Sequence, residues 1–196
     1  MIVRSDLNLR GQQRLAALQH AAADVLVEQG WAALTHRALA ARAGVGLGST
    51  TYYFPSAEQL LVAAATQLAE QHLAASRALL AQVSDQRRSA SGAARLVADL
   101  VLGADATTTE LTAFYERYVR AGQTPELRAL VIRWNTELRS LVQQGLDRSG
   151  HRVDDRQARL LIAALDGLVV SALAEDEVDP VASAVRGITA LLGPPA

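Results

Sequence analysis

An all-α fold is what this 196-residue sequence predicts, and three observations carry the prediction. Half of the residues are hydrophobic, and the strong helix formers alanine and leucine supply about a third of the chain. Aromatic residues are scarce, at 4%, and no segment alternates apolar and polar residues as a strand does. Apolar residues instead recur at three- and four-residue steps, which is typical of amphipathic helices.

The N-terminal part of the chain predicts three helices. The first begins near Arg10 and ends at Gly30, and its apolar stripe consists of Leu15, Leu18, Ala22, Val25 and Leu26. The second begins after Thr35, a favourable N-cap residue, and ends at Gly44. The third ends before Pro55, because the residue preceding a proline is pushed out of the α region. Two short helices joined by a glycine turn have the spacing of a helix-turn-helix.

Six further helices are predicted for the rest of the chain, which makes about nine in total. Their starts carry N-cap residues or a proline in the first turn. The predicted helices run from Ser56 past Leu79, then over about 91–103, 107–122, 124–150, 154–174 and 179–192. We therefore predict two domains, a three-helix head over residues 1–55 and a helical bundle over residues 56–196.

Composition excludes several classes of protein. The sequence has no cysteine, which excludes disulfide frameworks, zinc fingers and thiol nucleophiles, and its four histidines are scattered, so no metal site and no cofactor are expected. The first residues lack the apolar run of a signal peptide. The longest apolar stretch, residues 160–174, is interrupted by Asp166 and is shorter than a bilayer requires. We expect a cytoplasmic protein that does not contact a membrane.

Four spaced segments of the head carry a resemblance to a known family. They are residues 30–35, 40–45, 48–56 and 58–61, which read GWAALT, AARAGV, GSTTYYFPS and EQLL. With these segments the region from Leu15 to Leu61 resembles the tetracycline-repressor (TetR) family of bacterial transcriptional regulators. The resemblance implies a homodimer that binds a palindromic operator in double-stranded DNA. It further implies a repressor that a small molecule releases from that operator.

The chemistry of the second and third helices agrees with DNA binding. Hydroxyl side chains can pair with base edges, glycines allow close approach of the backbone, and a helix N-terminus can bind phosphate. Arg10, Arg14, Arg37 and Arg42 are the basic residues that could meet phosphates, and one family position that is frequently basic is Leu47 here. The predicted DNA-binding residues are Thr35, His36, Arg37, Arg42, Gly46, Leu47, Gly48, Ser49, Thr50, Thr51, Tyr52 and Tyr53.

The resemblance implies an effector pocket in the C-terminal bundle. Aromatic side chains on neighbouring helices, with a few polar groups beside them, are typical of small-molecule sites, although each of these residues could also be plain core. The predicted pocket residues are His72, Leu100, Phe114, Tyr115, Tyr118, Trp134 and Asn135. Because few charges accompany them, we expect a mostly hydrophobic effector of modest size.

The last two predicted helices carry the candidate dimer face. Each has an apolar stripe, and two such helices from each subunit could form a four-helix bundle across a two-fold axis. Burial within one subunit is the alternative explanation of the same stripes. The predicted interface residues are Leu161, Ala164, Leu168, Ser171, Val181, Val185 and Ile188.

Other functions are compatible with parts of the sequence. The glycine-rich stretch of residues 44–49 superficially suggests a nucleotide-binding loop, but it follows a helix and no lysine comes after it. No nucleophile elbow or His-Glu-x-x-His motif is present, so an enzyme is not expected. A ligand-sensing helical protein whose head does not bind DNA remains an alternative, and so does an activator built on the same fold.

Overall fold

The fold is all-α, as predicted, over residues 8–192, which the computed structural model describes. Within that range there are nine α-helices, one 3-10 turn at Trp31–Ala33 and no strand. The helices are α1 (Leu9–Gln29), α2 (His36–Ala43), α3 (Leu47–Tyr53), α4 (Ala57–Gln82), α5 (Ala90–Leu102), α6 (Thr108–Gln123), α7 (Pro125–Arg148), α8 (Asp155–Ala174) and α9 (Pro180–Leu192).

Side-chain caps explain where several of these helices begin. The Thr35 hydroxyl accepts a hydrogen bond from the Ala38 N–H at 3.1 Å, and the Ser56 hydroxyl accepts one from Gln59 at 3.1 Å. Asp154 and Gln157 form a reciprocal capping box at the start of α8. These bonds satisfy N–H groups that have no partner inside a helix, and for this reason the helix starts could be read from the sequence.

The chain packs into two compact units that are not contiguous in sequence. The first contains the described residues up to Gln71 together with Thr112–Leu130, and the second contains His72–Leu111 with the described residues from Val131 onward. The first unit therefore includes most of α6 in addition to α1, α2 and α3. The predicted boundary between residues 55 and 56 separates a DNA-binding part from an effector-binding part, whereas these two units are defined by packing. The functional boundary stays a prediction.

The core of the second unit is built around α9, which packs against both α5 and α8. Ala184 and Ile188 of α9 are fully buried, as are Leu165 and Val169 of α8. A Cβ added at Gly187 would lie 2.5 Å from Cδ1 of Leu168, which is closer than side-chain atoms pack. Because all the nearby atoms belong to the Leu168 side chain, which is 38% exposed, a larger residue at position 187 would displace that side chain.

Helix α8 corrects one expectation from the sequence. At 20 residues and a mean hydropathy of 1.6 it is long and apolar enough to cross a membrane, whereas its apolar stretch had been expected to be too short. Length and composition alone are weak evidence, because core helices of globular proteins meet the same criteria. Only 33% of its most apolar window is buried, so much of this helix presents an apolar surface.

Candidate nucleic-acid interface and effector residues

The turn between α2 and α3 positions the candidate DNA-binding residues. Gly44 ends α2 in the left-handed conformation with φ +63°, which glycine adopts at no steric cost. The Val45 N–H then donates to the Ala40 carbonyl at 3.0 Å, and Gly46 is the N-cap of α3. Three residues, 44–46, therefore separate the end of α2 from the start of α3, as the helix-turn-helix spacing predicts.

The N-terminal turns of α3 present an exposed surface. Leu47 and Tyr52 are 48% and 59% exposed, and Gly46, Gly48 and Thr51 are exposed as well. Ser49 is half-buried. At the start of α2, Thr35 and Arg37 are exposed and His36 is half-buried. This surface combines hydroxyl groups, an aromatic ring, one guanidinium and two glycines, which are groups that can contact bases and phosphates.

Thr50 does not belong to this exposed surface, contrary to its place in the predicted set. Its side chain is fully buried, and its hydroxyl donates to the Leu47 carbonyl at 2.8 Å. Tyr53 is also largely buried, at 8% exposure, and its ring meets that of Tyr52 edge to face with centroids 5.1 Å apart. Helix α3 packs against α2, and Thr50 and Tyr53, three residues apart, lie on the buried side of α3.

Arg42 is engaged inside the head. Its guanidinium donates to both carboxylate oxygens of Glu28, at 2.7 and 2.6 Å, and to Asp24 at 3.2 Å. The hydrogen bond with Glu28 and then that with Asp24 raise the pKa of Arg42 above its ordinary value. The sequence predicted a phosphate contact for Arg42, whereas its donors are already directed at carboxylates of α1.

Three predicted pocket residues lie in the first unit, on α6. Phe114 is buried, while Tyr115 and Tyr118 are half-buried. The Phe114 and Tyr115 rings meet edge to face at 5.2 Å. Sequence reasoning missed Arg117, which is 2% exposed and whose guanidinium carbon lies 3.3 Å from the Phe114 ring centroid and 4.3 Å from that of Tyr118. Arg117 lies between aromatic residues in the sequence of α6, and this pattern could have predicted a cation–π contact.

The other four predicted pocket residues lie in the second unit. The rings of His72 and Trp134 are 5.5 Å apart, and Trp134 is 2% exposed. Asn135 is half-buried and Leu100 is fully buried. The Ser76 hydroxyl donates to the carbonyls of Leu100, at 2.8 Å, and His72, at 3.0 Å, which joins α4 to α5 beside these residues.

The predicted dimer residues divide by exposure. Leu161 and Ile188 are buried in the chain itself, at 8% and 0% exposure. Leu168 and Ser171 are exposed, and Ala164, Val181 and Val185 are half-buried. Large apolar side chains outside the predicted set are also exposed on these two helices, namely Leu160, Val170 and Leu191. Within residues 8–192 no cluster of three or more His, Asp or Glu side chains could hold a metal ion.

Comparison with known proteins identifies two family sequence models. The model described as "Bacterial regulatory proteins, tetR family" matches residues 18–64. The model described as "Tetracyclin repressor-like, C-terminal domain" matches residues 88–194, which is more than half of the chain. No curated protein matches the sequence.

Solved structures give the same result. The multidrug binding protein EbrR complexed with imidazole is 34% identical, with a TM-score of 0.68, and the match covers 93% of this chain and 97% of that one. The regulator SCO7518 from Streptomyces coelicolor A3(2) is 30% identical, with a TM-score of 0.68 and coverage of 92% and 98%. EbrR complexed with ethidium is 32% identical, with a TM-score of 0.68 and coverage of 92% and 99%.

Proposed function

Because the chain belongs to the tetracycline-repressor family of bacterial regulators, we propose that it represses transcription from a palindromic operator until a small, mostly hydrophobic effector releases it. Residues 1–55 bind DNA, and residues 56–196 bind the effector and form the dimer. This is a regulatory function rather than a catalytic one, and it places the protein in the cytoplasm.

The exposed N-terminal turns of α3 are the observation that carries the DNA-binding part of this proposal. Thr51 and Tyr52 are the side chains that we assign to base edges, and the N-terminus of α2 with Arg37 is assigned to phosphate. Gly46 and Gly48 allow the backbone to approach the duplex, and the exposed Leu47 side chain lies between them in sequence. Thr50 and Tyr53 support this surface from inside the head.

The effector assignment is supported by aromatic side chains in both units. Phe114, Tyr115 and Tyr118 in the first unit offer π surface beside the buried guanidinium of Arg117. In the second unit, Trp134 lies beside His72. The structures of EbrR carry imidazole, proflavin, ethidium and malachite green. We propose a planar aromatic compound as the effector class.

A direct bond between the head and α6 supports a route from effector to DNA. The indole N–H of Trp31 donates to the Ala113 carbonyl at 2.7 Å, and this bond is buried within the first unit. Ala113 precedes Phe114, so a displacement of α6 on effector binding would be transmitted to the start of the helix-turn-helix.

The exposed apolar surface of α8 supports a homodimer. Leu160 and Val170 are 59% and 46% exposed, and the small residues Ala163, Gly167 and Ser171 follow the same helix at four-residue steps on its exposed side. A surface of this kind allows close helix packing, which a second copy can supply. The two-fold symmetry of a dimer also explains why its operator would be palindromic.

DNA binding is tested with a fluorescent duplex pool of random sequence and purified protein. We expect binding whose affinity falls with salt, with tighter retention of a subset of sequences. The variant Tyr52→Ala should lose affinity, and the matched control Ile132→Ala, an equally exposed large side chain on α7, should retain it. If the protein retains no subset of the duplex sequences, the result would favour the alternative of a ligand sensor that does not bind DNA.

Effector binding is tested first without DNA, because proflavin and ethidium intercalate into duplexes. We expect these dyes and malachite green to quench the fluorescence of the two tryptophans at micromolar concentrations. Asn135→Ala, which changes a half-buried side chain, should weaken binding, and Thr136→Ala, its exposed neighbour on α7, should not. Equal affinities of the two variants would contradict the assignment of Asn135.

A further inference from the structure

The ion-pair cluster of Asp24, Glu28 and Arg42 joins the first and second helices of the head. Asp24 and Glu28 are four residues apart and therefore share one face of α1. Arg42 is in the last turn of α2, and its guanidinium binds Glu28 in a bidentate fork at 2.6 and 2.7 Å while it also reaches Asp24 at 3.2 Å. Planar two-bond pairing of this kind fixes orientation as well as distance.

The cluster lies immediately before the turn that leads into the recognition helix. Only Ala43 separates Arg42 from Gly44, where the chain adopts the left-handed conformation, and α3 begins at Leu47. Holding the end of α2 against α1 therefore fixes the point from which the turn and α3 start. No other ion pair among the described residues joins two helices of the head.

The charge balance of the cluster argues against a phosphate contact by Arg42. Two carboxylates surround one guanidinium, so the cluster carries a net negative charge and would repel a nearby phosphate. A phosphate could gain the Arg42 donors only if the bonds to Glu28 were broken. The side chains are 37% to 49% exposed, so these bonds are partly screened by water but not lost.

We propose that Asp24, Glu28 and Arg42 form a clamp that positions α3 for operator binding, and that Arg42 is a positioning residue rather than a phosphate ligand. This inference rests on the proposed DNA-binding function. The proposal implies that two acidic residues, Asp24 and Glu28, increase the affinity for DNA. Long-range electrostatics alone would predict that negative charges in the head decrease it.

The sign of the effect of Glu28→Gln tests the clamp most sharply. Removing a negative charge from a DNA-binding head should tighten binding if only long-range electrostatics act. The clamp instead predicts about threefold to tenfold weaker binding to the preferred duplex, since Arg42 loses its fork. The matched control Glu70→Gln, an exposed carboxylate on α4 with the same charge change, should leave affinity unchanged or slightly higher. Tighter binding by Glu28→Gln would overturn the proposal.

The salt dependence of Arg42→Ala separates positioning from phosphate contact. Loss of a phosphate contact lowers the log–log salt slope by about 0.9 per contact. The clamp predicts weaker binding with an unchanged slope, and a slope reduced by about 0.9 per protomer would overturn the proposal. The exchanged pair Glu28→Arg with Arg42→Glu should recover most of the affinity that either change alone removes, and a double variant as weak as the single ones would contradict the clamp.

Amide hydrogen exchange of the full chain without DNA keeps this test independent of the proposed function. Glu28→Gln should speed exchange of the Gly44 and Val45 amides, which donate to the last turn of α2, while the amides of α7 should be unaffected. Unchanged exchange at Gly44 and Val45 would overturn the clamp even if DNA binds. Faster exchange in a protein that retains no DNA would leave the clamp standing and refute the proposed function.

Discussion

Thr50 and Thr51 are adjacent and chemically identical, yet their surroundings assign them different roles. Thr50 is fully buried, and its hydroxyl donates to the Leu47 carbonyl at 2.8 Å. Thr51 is exposed, and its hydroxyl donates to the carbonyls of Gly48 and Leu47 at 3.2 and 3.3 Å. A buried hydroxyl stabilises the fold, whereas an exposed one on a recognition helix can still accept a hydrogen bond from a base. The sequence alone does not distinguish these two hydroxyl groups. Their positions on α3 do, because one side of the helix faces the core and the other faces solvent.

The two threonines therefore predict opposite outcomes. Thr51→Ala should change base preference at one or two operator positions, by about 1–3 kcal/mol, with little change in stability. Thr50→Val should lower stability by about 1 kcal/mol, through loss of the buried hydrogen bond, and should leave base preference unchanged. Urea unfolding and sequencing of selected duplexes measure the two effects. A changed base preference in Thr50→Val would contradict this division.

Asp99 predicts a pH dependence of stability. Burial raises the pKa of Asp99 above its ordinary value, and hydrogen bonding to Arg95 only partly opposes that shift. The folded state thus holds this proton more tightly than the unfolded state does, so the contribution of Asp99 to stability falls as pH rises from the unfolded pKa through the folded one. We expect Asp99→Asn to be neutral or stabilising at pH 7 in thermal unfolding, with the difference from wild type declining toward pH 3. Clear destabilisation of Asp99→Asn at pH 7 would contradict the conclusion that burial outweighs the hydrogen bond to Arg95.

At the scale of single helices, local sequence signals were sufficient to predict where each helix begins and ends. Caps such as Thr35 and Asp154, and breakers such as Gly44 and Pro55, act over three or four residues, so the bounds of the helices and the turn of the head could be predicted. The partners of Arg42 are 14 and 18 residues away on another helix, and only packing brings them together. The same reason explains why the membership of α6 in the first unit could not be predicted.

The connection of α6 to the head gives a prediction for Trp31. Trp31→Phe keeps a buried ring but removes the donor to the Ala113 carbonyl, which should lower stability by about 1 kcal/mol in urea unfolding. Tyr52→Phe, which removes a hydroxyl from an exposed ring, should be neutral. If Trp31 also transmits the effector signal, the variant should require more dye than wild type to release DNA. A variant with wild-type stability would contradict the importance of this bond.

Gly187 on α9 faces the Leu168 side chain of α8. Gly187→Leu should lower the Tm by a few degrees, because its Cβ would lie 2.5 Å from Leu168 Cδ1 and the added side chain would displace that of Leu168. Ala190→Leu on the same helix, at an exposed position, is the matched control and should retain the wild-type Tm. Equal melting temperatures for the two variants would show that Leu168 moves aside at no cost in stability.

At the scale of the whole molecule, the proposed dimer can be tested with a variant that should not disturb the fold of the single chain. A Cβ at Gly167 meets no atom within 4 Å, so Gly167→Arg should fold normally. If the exposed surface of α8 packs against a second copy, the same change places two charges in the interface and should produce monomers by light scattering. Ala78→Arg, at an exposed position on α4, should remain dimeric. A dimeric Gly167→Arg protein would move the interface elsewhere.

Selection of random duplex DNA by the full chain, with the enriched pool read by sequencing, tests the central claim most directly. We predict enrichment of a palindrome by the wild-type protein, with its half-sites about one helical turn or more apart. We also predict a shift at one or two positions of each half-site in the pool that Thr51→Ala selects. A wild-type pool with no enriched sequence over a range of salt concentrations would contradict the assignment of a sequence-specific operator to the surface of α3.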